Sequence, residues 1–333
     1  MIRAAIVGGG AWGTALADLV ARRHGAAVLW AREPEVVDSV NRRHVNDQFL
    51  PGCALANTLR ATNDLGEAVQ GAELVVSAAP SFAVRSVMRE AAGALAAGAL
   101  VVSVSKGLEP DTLSLMSRVL ADVLPATGSV AVLSGPSFAR EVAERQPTAV
   151  VVAAPQHELA QRAQQALSTG YFRVYSHTDV VGVELGGALK NVIALAAGIA
   201  DGLGLGHNTR AALITRGLAE ITRLGTALGA DPLTFAGLAG LGDLVLTATG
   251  PLSRNRSLGV ALGQGKTLDQ ALAGKQSVAE GVETARAAVA LAERHGVELP
   301  IAREVSAILF TGKPPRLALA ALLERDLKAE QWR

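Results

Sequence analysis

Cysteine is nearly absent from this 333-residue chain: Cys53 stands alone, in a Pro51-Gly52 turn. No intramolecular disulfide can form, which fits a reducing compartment. Thiolate catalysis would rest on that one loop residue. Lysine is scarce as well, at Lys106, Lys190, Lys266, Lys275, Lys313 and Lys328 only, so arginine supplies most of the positive charge. A lysine set among apolar residues therefore stands out. Net charge is +1, and no bulk field draws the chain to nucleic acid or to a membrane surface. No apolar run reads as long enough to span a bilayer; residues Ala94–Val104 come nearest and read as a buried strand with its approach. No signal peptide precedes the first strand, so the expected location is cytoplasmic. The six histidines show no metal spacing, no cysteine pair exists, and no metal is expected. No serine lies in a GxSxG elbow, which argues against hydrolase chemistry.

What the chain has is apolar bulk. Hydrophobic residues make up 50% and charged residues 18%, a folded globular composition without a disorder signature. The length suggests two domains with ample core. The stretch Ile6-Val7-Gly8-Gly9-Gly10-Ala11-Trp12-Gly13-Thr14-Ala15 reads strand, tight turn, helix. In that order Gly8 allows the turn, Gly10 lets backbone approach a pyrophosphate, and Gly13 lets helix pack closely on strand. The first-turn amides, with Ala11 and Trp12 at the helix start, then face the phosphates. A second strand, Ala26–Ala31, ends at Arg32, where dinucleotide-binding folds place an Asp or Glu on the ribose 2′-hydroxyl. An arginine there suits the 2′-phosphate of NADP, while Glu33 beside it keeps NAD open.

Further apolar runs follow at Glu73–Ala79, Ala99–Ser105, Val130–Leu133, Thr148–Ala153 and Tyr171–Ser176, alternating with helical runs at Phe82–Ala92, Asp111–Val123 and Gln156–Leu167. This alternation predicts an α/β, Rossmann-like, doubly wound parallel sheet. Ligands then sit outside the carboxyl ends of the strands, where Pro80, Lys106 and Gly135 fall. After Thr178 strand signals stop and helical runs take over, from Asp179–Ala200 to Arg316–Leu323. The expected division is a dinucleotide-binding domain over 1–178 and an all-helical substrate and catalytic domain over 179–333.

Two constellations carry candidate chemistry. In the first, Gly182, Gly186 and Lys190 fall four apart, along one helix face. Glycines cost about 1 kcal/mol each in a helix interior, so the stripe needs a packing or ligand reason. Close packing would explain the glycines but not Lys190 and Asn191. A partly desolvated lysine shifts its pKa readily and suits acid–base work. In the second, Asp243 lies in the apolar run Gly240–Leu244, where a carboxylate wants a cationic partner. Ser253 reads as a helix N-cap, with Arg254 and Asn255 in the first turn, an arrangement suited to a phosphate.

Together the segments GGGAWGTALA, SKGLE, SGPSFARE, GGALKN, AGLGDLVLT, SRNR and VAEG resemble, in kind and order, the NAD(P)-dependent glycerol-3-phosphate dehydrogenases of bacterial type. The resemblance spans nearly the whole chain. It implies a cytoplasmic oxidoreductase that reduces dihydroxyacetone phosphate, a phosphorylated triose, to sn-glycerol 3-phosphate for phospholipid synthesis. It further implies cofactor contacts at Trp12, Arg32, Lys106, Ala139, Arg254, Val278 and Glu280. Substrate contacts are implied at Lys106, Gly135, Ser137, Asp243, Ser253, Arg254 and Asn255. Lys190 takes the place of the general acid/base, touching substrate, with Thr247 assisting. On this reading Lys106 lowers the Lys190 pKa and Asp243 raises it and orients the amine. The chain departs from relatives at Ala11, where they often carry Ser, and at Ala248, where many carry Cys. Two alternatives stay open: another reductase of the same architecture, and a dinucleotide-binding redox sensor without catalysis. The residues also leave a homodimer open.

Overall fold

Runs of four to six residues rich in Ala, Val and Leu form the sheet. In the computed structural model, which describes residues 2–124, 129–273, 280–327 and 329–330, they are β1 (Ala4–Val7), β2 (Ala27–Trp30), β3 (Leu59–Thr62), β4 (Leu74–Ser77), β5 (Leu100–Ser103), β6 (Ser129–Ser134), β7 (Thr148–Ala153) and β8 (Phe172–His177). The order across the sheet is β3-β2-β1-β4-β5-β6-β7-β8. The connections carry α1 (Ala11–His24), α2 (Pro34–Arg43), α3 (Leu65–Val69), α4 (Val84–Ala91), α5 (Met116–Val123), α6 (Ala139–Ala143) and α7 (His157–Leu167). Alternate strand residues feed two cores. Ile6, Leu29, Val76 and Val102 join the side of α1 and α7, and Val7, Val75 and Val101 join the side of α3, α4 and α5. The central strands β1, β4 and β5 are buried on both faces, as a parallel sheet covered by helices requires.

Two features of the sheet differ from the sequence expectation. The strand β3 has no counterpart there. It is a short edge strand that exposes Arg60, so its apolar alternation is too brief to read. The second is that β6 and β7 pair antiparallel, whereas the other neighbours are parallel. The five-residue α6 is the only helix between them. A link that short does not make the full crossover that a parallel return needs.

Beyond His177 the described chain is helical: α8 (Val180–Gly202), α9 (His207–Ala227), α10 (Asp243–Thr249), α11 (Arg254–Gly263), α12 (Leu268–Leu272), α13 (Gly281–Arg294), α14 (Pro300–Thr311) and α15 (Pro315–Leu323). The axis of this part is α8, apolar on every side and buried from Gly182 to Ala200. Its length and mean hydropathy of 1.5 would suffice to cross a membrane, but 83% of the window is buried inside the protein. That corrects the reading of Ala94–Val104 as the nearest candidate. A helix hydrophobic all round belongs in a core when other helices cover it. Here α9, α10, α11 and α13 do so. The crossing of α8 and α11 is set by reciprocal glycines. Gly198 and Gly202 lie on the carbonyls of Arg256 and Val260, while Gly259 and Gly263 lie on those of Leu195 and Ile199. Neither helix has room there for a side chain, and backbone meets backbone. The start of α11 is thereby fixed against the middle of α8.

Candidate active site

The turn between β1 and α1 is built as the glycine spacing predicts. Gly8 has φ of +129°, and a Cβ on it would fall 2.7 Å from the Ala78 carbonyl oxygen. A Cβ at Gly13 would run into the Gly8 carbonyl. Gly10 is different: a Cβ there would meet no protein atom within 4 Å. Packing within the chain does not call for glycine at that position, which leaves the backbone there open to approach. The N-terminus of α1 has no side-chain cap and no acidic residue in its first turn, which leaves its amides and dipole for an anion. These residues fit a dinucleotide pyrophosphate. Ala11 and Trp12 open the helix. The Trp12 ring lies 6.5 Å from that of Phe172, and its Nε1 is buried without a partner.

Asn46, fully buried, was not expected in this region. Its Nδ2 donates to the Gly9 carbonyl at 2.9 Å and to Thr14 Oγ1 at 2.8 Å, and its Oδ1 accepts from the Phe49 amide at 3.1 Å. It braces the glycine turn from outside. Nothing periodic surrounds it in the sequence, so no pattern announces it. At the end of β2, a Cβ on Gly9 would touch Ala31 Cβ at 2.5 Å, so Arg32 and Glu33 stand beside the turn. The Arg32 guanidinium bonds Glu33 Oε1, with Nη2 at 3.0 Å.

The second half of the site gathers around one carboxylate. Asp243, at the start of α10, is 1% exposed. Its Oδ2 accepts from Lys106 Nζ at 2.8 Å, and its Oδ1 accepts from Lys190 Nζ. Lys106 also donates to the Gly135 carbonyl at 2.8 Å and to Ser137 Oγ at 3.2 Å. Lys190 also donates to Thr247 Oγ1 at 3.0 Å. The glycine stripe of α8 explains how Lys190 arrives there. Gly182 packs on Asp179 and Thr234, and Gly186 on Ala239 and Gly240. Four residues on, Lys190 meets Asp243 and Thr247. The stripe is therefore packing, and its product is the placement of the lysine. Burial drives the Lys190 ammonium down from the ordinary lysine value to about 7. The Asp243 carboxylate opposes that shift and the Lys106 cation adds to it. Such an amine gives or takes a proton near neutrality.

A chain of amides links this cluster to α11. Asn191 Nδ2 donates to the Lys106 carbonyl at 3.2 Å, and Asn255 Nδ2 donates to Asn191 Oδ1 at 3.0 Å. Asn255 Oδ1 accepts from the Gly281 amide at 3.1 Å. Asn255 is thus braced by protein at both ends of its amide. Ser253 caps α11 as expected, its Oγ accepting from the Arg256 amide at 3.2 Å. Arg254 is exposed. Glu280, just before α13, is partly buried. Burial raises its carboxyl pKa, while Arg254, Lys106 and Lys190 act against that rise. Ala139 begins α6 and is partly buried against the core of the α1 side. Val278 lies outside the described residues.

A family model described as the NAD-dependent glycerol-3-phosphate dehydrogenase N-terminus matches residues 3–160, and its C-terminal counterpart matches residues 179–320. The chain belongs to the glycerol-3-phosphate dehydrogenase family. As a member of that family it is an NAD(P)-dependent oxidoreductase. A glycerol-3-phosphate dehydrogenase [NAD(P)+] of Geobacter sulfurreducens is 55% identical over 332 residues, covering 99% of both chains. One of Geobacter sp. strain M21 is 54% identical over 328 residues, covering 98% of both. The crystal structure of glycerol-3-phosphate dehydrogenase from Coxiella burnetii superposes with a TM-score of 0.93 at 40% identity, covering 97% of this chain and 99% of that one.

Proposed function

We propose that this glycerol-3-phosphate dehydrogenase reduces dihydroxyacetone phosphate to sn-glycerol 3-phosphate, reversibly, with Lys190 as general acid/base. The observation that carries the reading is the buried cluster of Lys190, Asp243 and Lys106 at the carboxyl ends of the strands. When bound, reduced nicotinamide supplies the hydride to the ketone carbon. The Lys190 ammonium has one N–H on Asp243 and one on Thr247, and its third is left for the substrate carbonyl oxygen. As the carbon gains the hydride, that oxygen takes the proton from Nζ, and the neutral amine remains. In the reverse direction the neutral amine takes the hydroxyl proton. Lys106 is anchored at three points, and its charge favours the neutral form of Lys190 as it forms. Ser137 and the Gly135 carbonyl orient Lys106.

Arg254 and the amides at the start of α11 hold the substrate phosphate, and binding there places the carbon for hydride transfer. The cofactor lies along Gly8–Gly13 with Arg32 at its 2′-position, so NADP serves alongside NAD. Lys106, Ala139 and Glu280 complete its surroundings, and the family resemblance assigns a contact to Val278 as well. The main division of labour runs along the chain, with 1–178 carrying the dinucleotide turn and 179–333 the catalytic lysine and the phosphate site. Lys106 from the first part and Glu280 from the second cross it. A cytoplasmic location and a role in supplying glycerol 3-phosphate for phospholipids belong to the same reading and rest on the resemblance to the family, while a homodimer stays open. The test is spectrophotometric: loss of NADPH and of NADH absorbance with dihydroxyacetone phosphate as acceptor. Turnover with that substrate is expected; none with either cofactor would overturn the proposal.

A further inference from the structure

The corner after β2 holds two opposite charges where dinucleotide-binding folds of this kind usually need one. Arg32 and Glu33 are adjacent, and both Arg32 Nε, at 3.3 Å, and Nη2, at 3.0 Å, converge on the same oxygen, Glu33 Oε1. The Arg32 side chain is 85% exposed and that of Glu33 only 24%. The backbone beneath them is pinned. Asn63 Nδ2 donates to the Ala31 carbonyl at 2.7 Å and to the Arg32 carbonyl at 3.3 Å. Trp30 Nε1 donates to the Asn63 carbonyl at 3.0 Å. Glu33 is also the residue from which α2 starts, with Pro34 at its first position, so its φ and ψ are fixed. The arginine can swing; the glutamate stays.

We propose that Glu33 is a selectivity residue that holds the balance between NADP and NAD by competing for the Arg32 guanidinium. The inference rests on the dinucleotide reading of the Gly8–Gly13 turn. A 2′-phosphate carries between one and two negative charges near neutral pH. To use Arg32 it must draw the fork away from Glu33, or lie beside a carboxylate that shares the fork. Either route subtracts from the gain of the new charge-assisted bonds. The unphosphorylated ribose meets no such opposition. Its 2′-hydroxyl is a donor, and Glu33 Oε2, to which neither guanidinium nitrogen is bonded, is an acceptor. The same carboxylate thus disfavours one cofactor and receives the other. With arginine alone at this corner the site would lean to NADP; with glutamate alone, to NAD.

Isothermal titration of NADP+ and NAD+ into wild type, Glu33→Gln and Arg32→Ala tests this without turnover. Glutamine keeps the size of the side chain and removes its charge. Glu33→Gln is expected to bind NADP+ about five- to tenfold tighter and NAD+ no tighter than wild type, a selectivity shift of up to about one decade or 1.4 kcal/mol. Arg32→Ala is expected to move the ratio the other way. Thermal melting should be unchanged in both variants, since exposed pairs contribute little to stability. A Kd ratio unchanged within twofold in Glu33→Gln, with both dinucleotides still bound, would overturn the competition. Wild-type protein that bound neither dinucleotide would overturn the reading of the glycine turn, and this inference with it.

Discussion

Lys106 and Lys190 meet on the two oxygens of one carboxylate, that of Asp243, from opposite parts of the chain. Two cations so close repel one another, and a single buried anion between them is what makes the arrangement stable. The consequence is graded. Asp243 raises the Lys190 pKa against burial, and Lys106 lowers it. Asp243→Asn should therefore lower it further. The pH at which the rate of ketone reduction begins to fall should move to the acid side, and kcat should drop as the amine loses its orientation. A pH–rate profile of the variant beside wild type checks both. A profile that moved to the alkaline side would contradict the charge argument.

Arg254 is exposed at the start of α11, and none of the ion pairs among the described residues uses it. Its guanidinium acts on Glu280 electrostatically. Hydrogen bonds to a charged group contribute about 1.5–3 kcal/mol, so Arg254→Ala should raise the KM for dihydroxyacetone phosphate about 10- to 100-fold. The resemblance also assigns Arg254 a cofactor contact, so NADPH affinity should be measured alongside. An unchanged KM would return Arg254 to an ordinary solvated arginine.

Gly10 and Gly259 make opposite expectations under the same substitution. Gly259→Ala would force a Cβ into the Leu195 carbonyl and should cost about 1–3 kcal/mol, as overpacking does. Gly10→Ala has open space around its Cβ and should leave the melting temperature nearly unchanged. It should weaken dinucleotide binding about tenfold or more, because the methyl lies where the pyrophosphate approaches the backbone. Melting curves and dinucleotide titration on both variants separate packing from binding. A Gly10→Ala protein with wild-type affinity would place the pyrophosphate elsewhere.

Glu220 gives the fold a pH dependence of its own. It is buried on α9 and accepts from the Ile301 amide at 2.7 Å and the Ala302 amide at 3.3 Å, capping α14. Burial raises its carboxyl to about 7, against the lowering effect of those two bonds. Between the ordinary carboxylate value and about 7 the folded state holds a proton that the unfolded state has lost. Stability from this group is therefore present at low pH and declines as pH rises through that window. Glu220→Gln should flatten the fall of melting temperature between about pH 5 and pH 7. A slope identical to wild type would show that Glu220 titrates normally.

Local chemistry made part of this legible in the sequence. The glycine turn, the strand-to-helix change near Thr178 and the Ser253 cap are each written in neighbouring residues. The lysine at the end of the glycine stripe was readable because lysine is rare and the stripe needed a reason. The reason itself was not readable, because the segment from Thr234 to Thr247 that fills the stripe lies about 50 residues away along the chain. Asn46 is hidden for the same cause, since it acts on Gly9 across 37 residues; Asn191 stands out beside Lys190, but its partner Lys106 lies 85 residues away. The place of Asn255 in a helix start is legible in the sequence; its bonds to Asn191 and to the Gly281 amide, which take up one of its two Nδ2 hydrogens, are not. The edge strand β3 was missed because half of its short alternation is solvated.

The central claim is that Lys190 moves the proton, and kcat of a folded Lys190→Ala enzyme tests it most directly. The variant should melt as a cooperative fold. Removing the ammonium also leaves Asp243 with Lys106 as its remaining ion-pair partner, so the buried carboxylate stays paired. Turnover of dihydroxyacetone phosphate should fall by about 10²–10⁴, the usual contribution of a positioned acid/base. Dinucleotide affinity should change little, since the glycine turn lies on other elements. Lys190→Arg should not restore activity, because guanidinium does not release a proton near neutral pH. A folded Lys190→Ala enzyme with near-normal kcat would contradict the account.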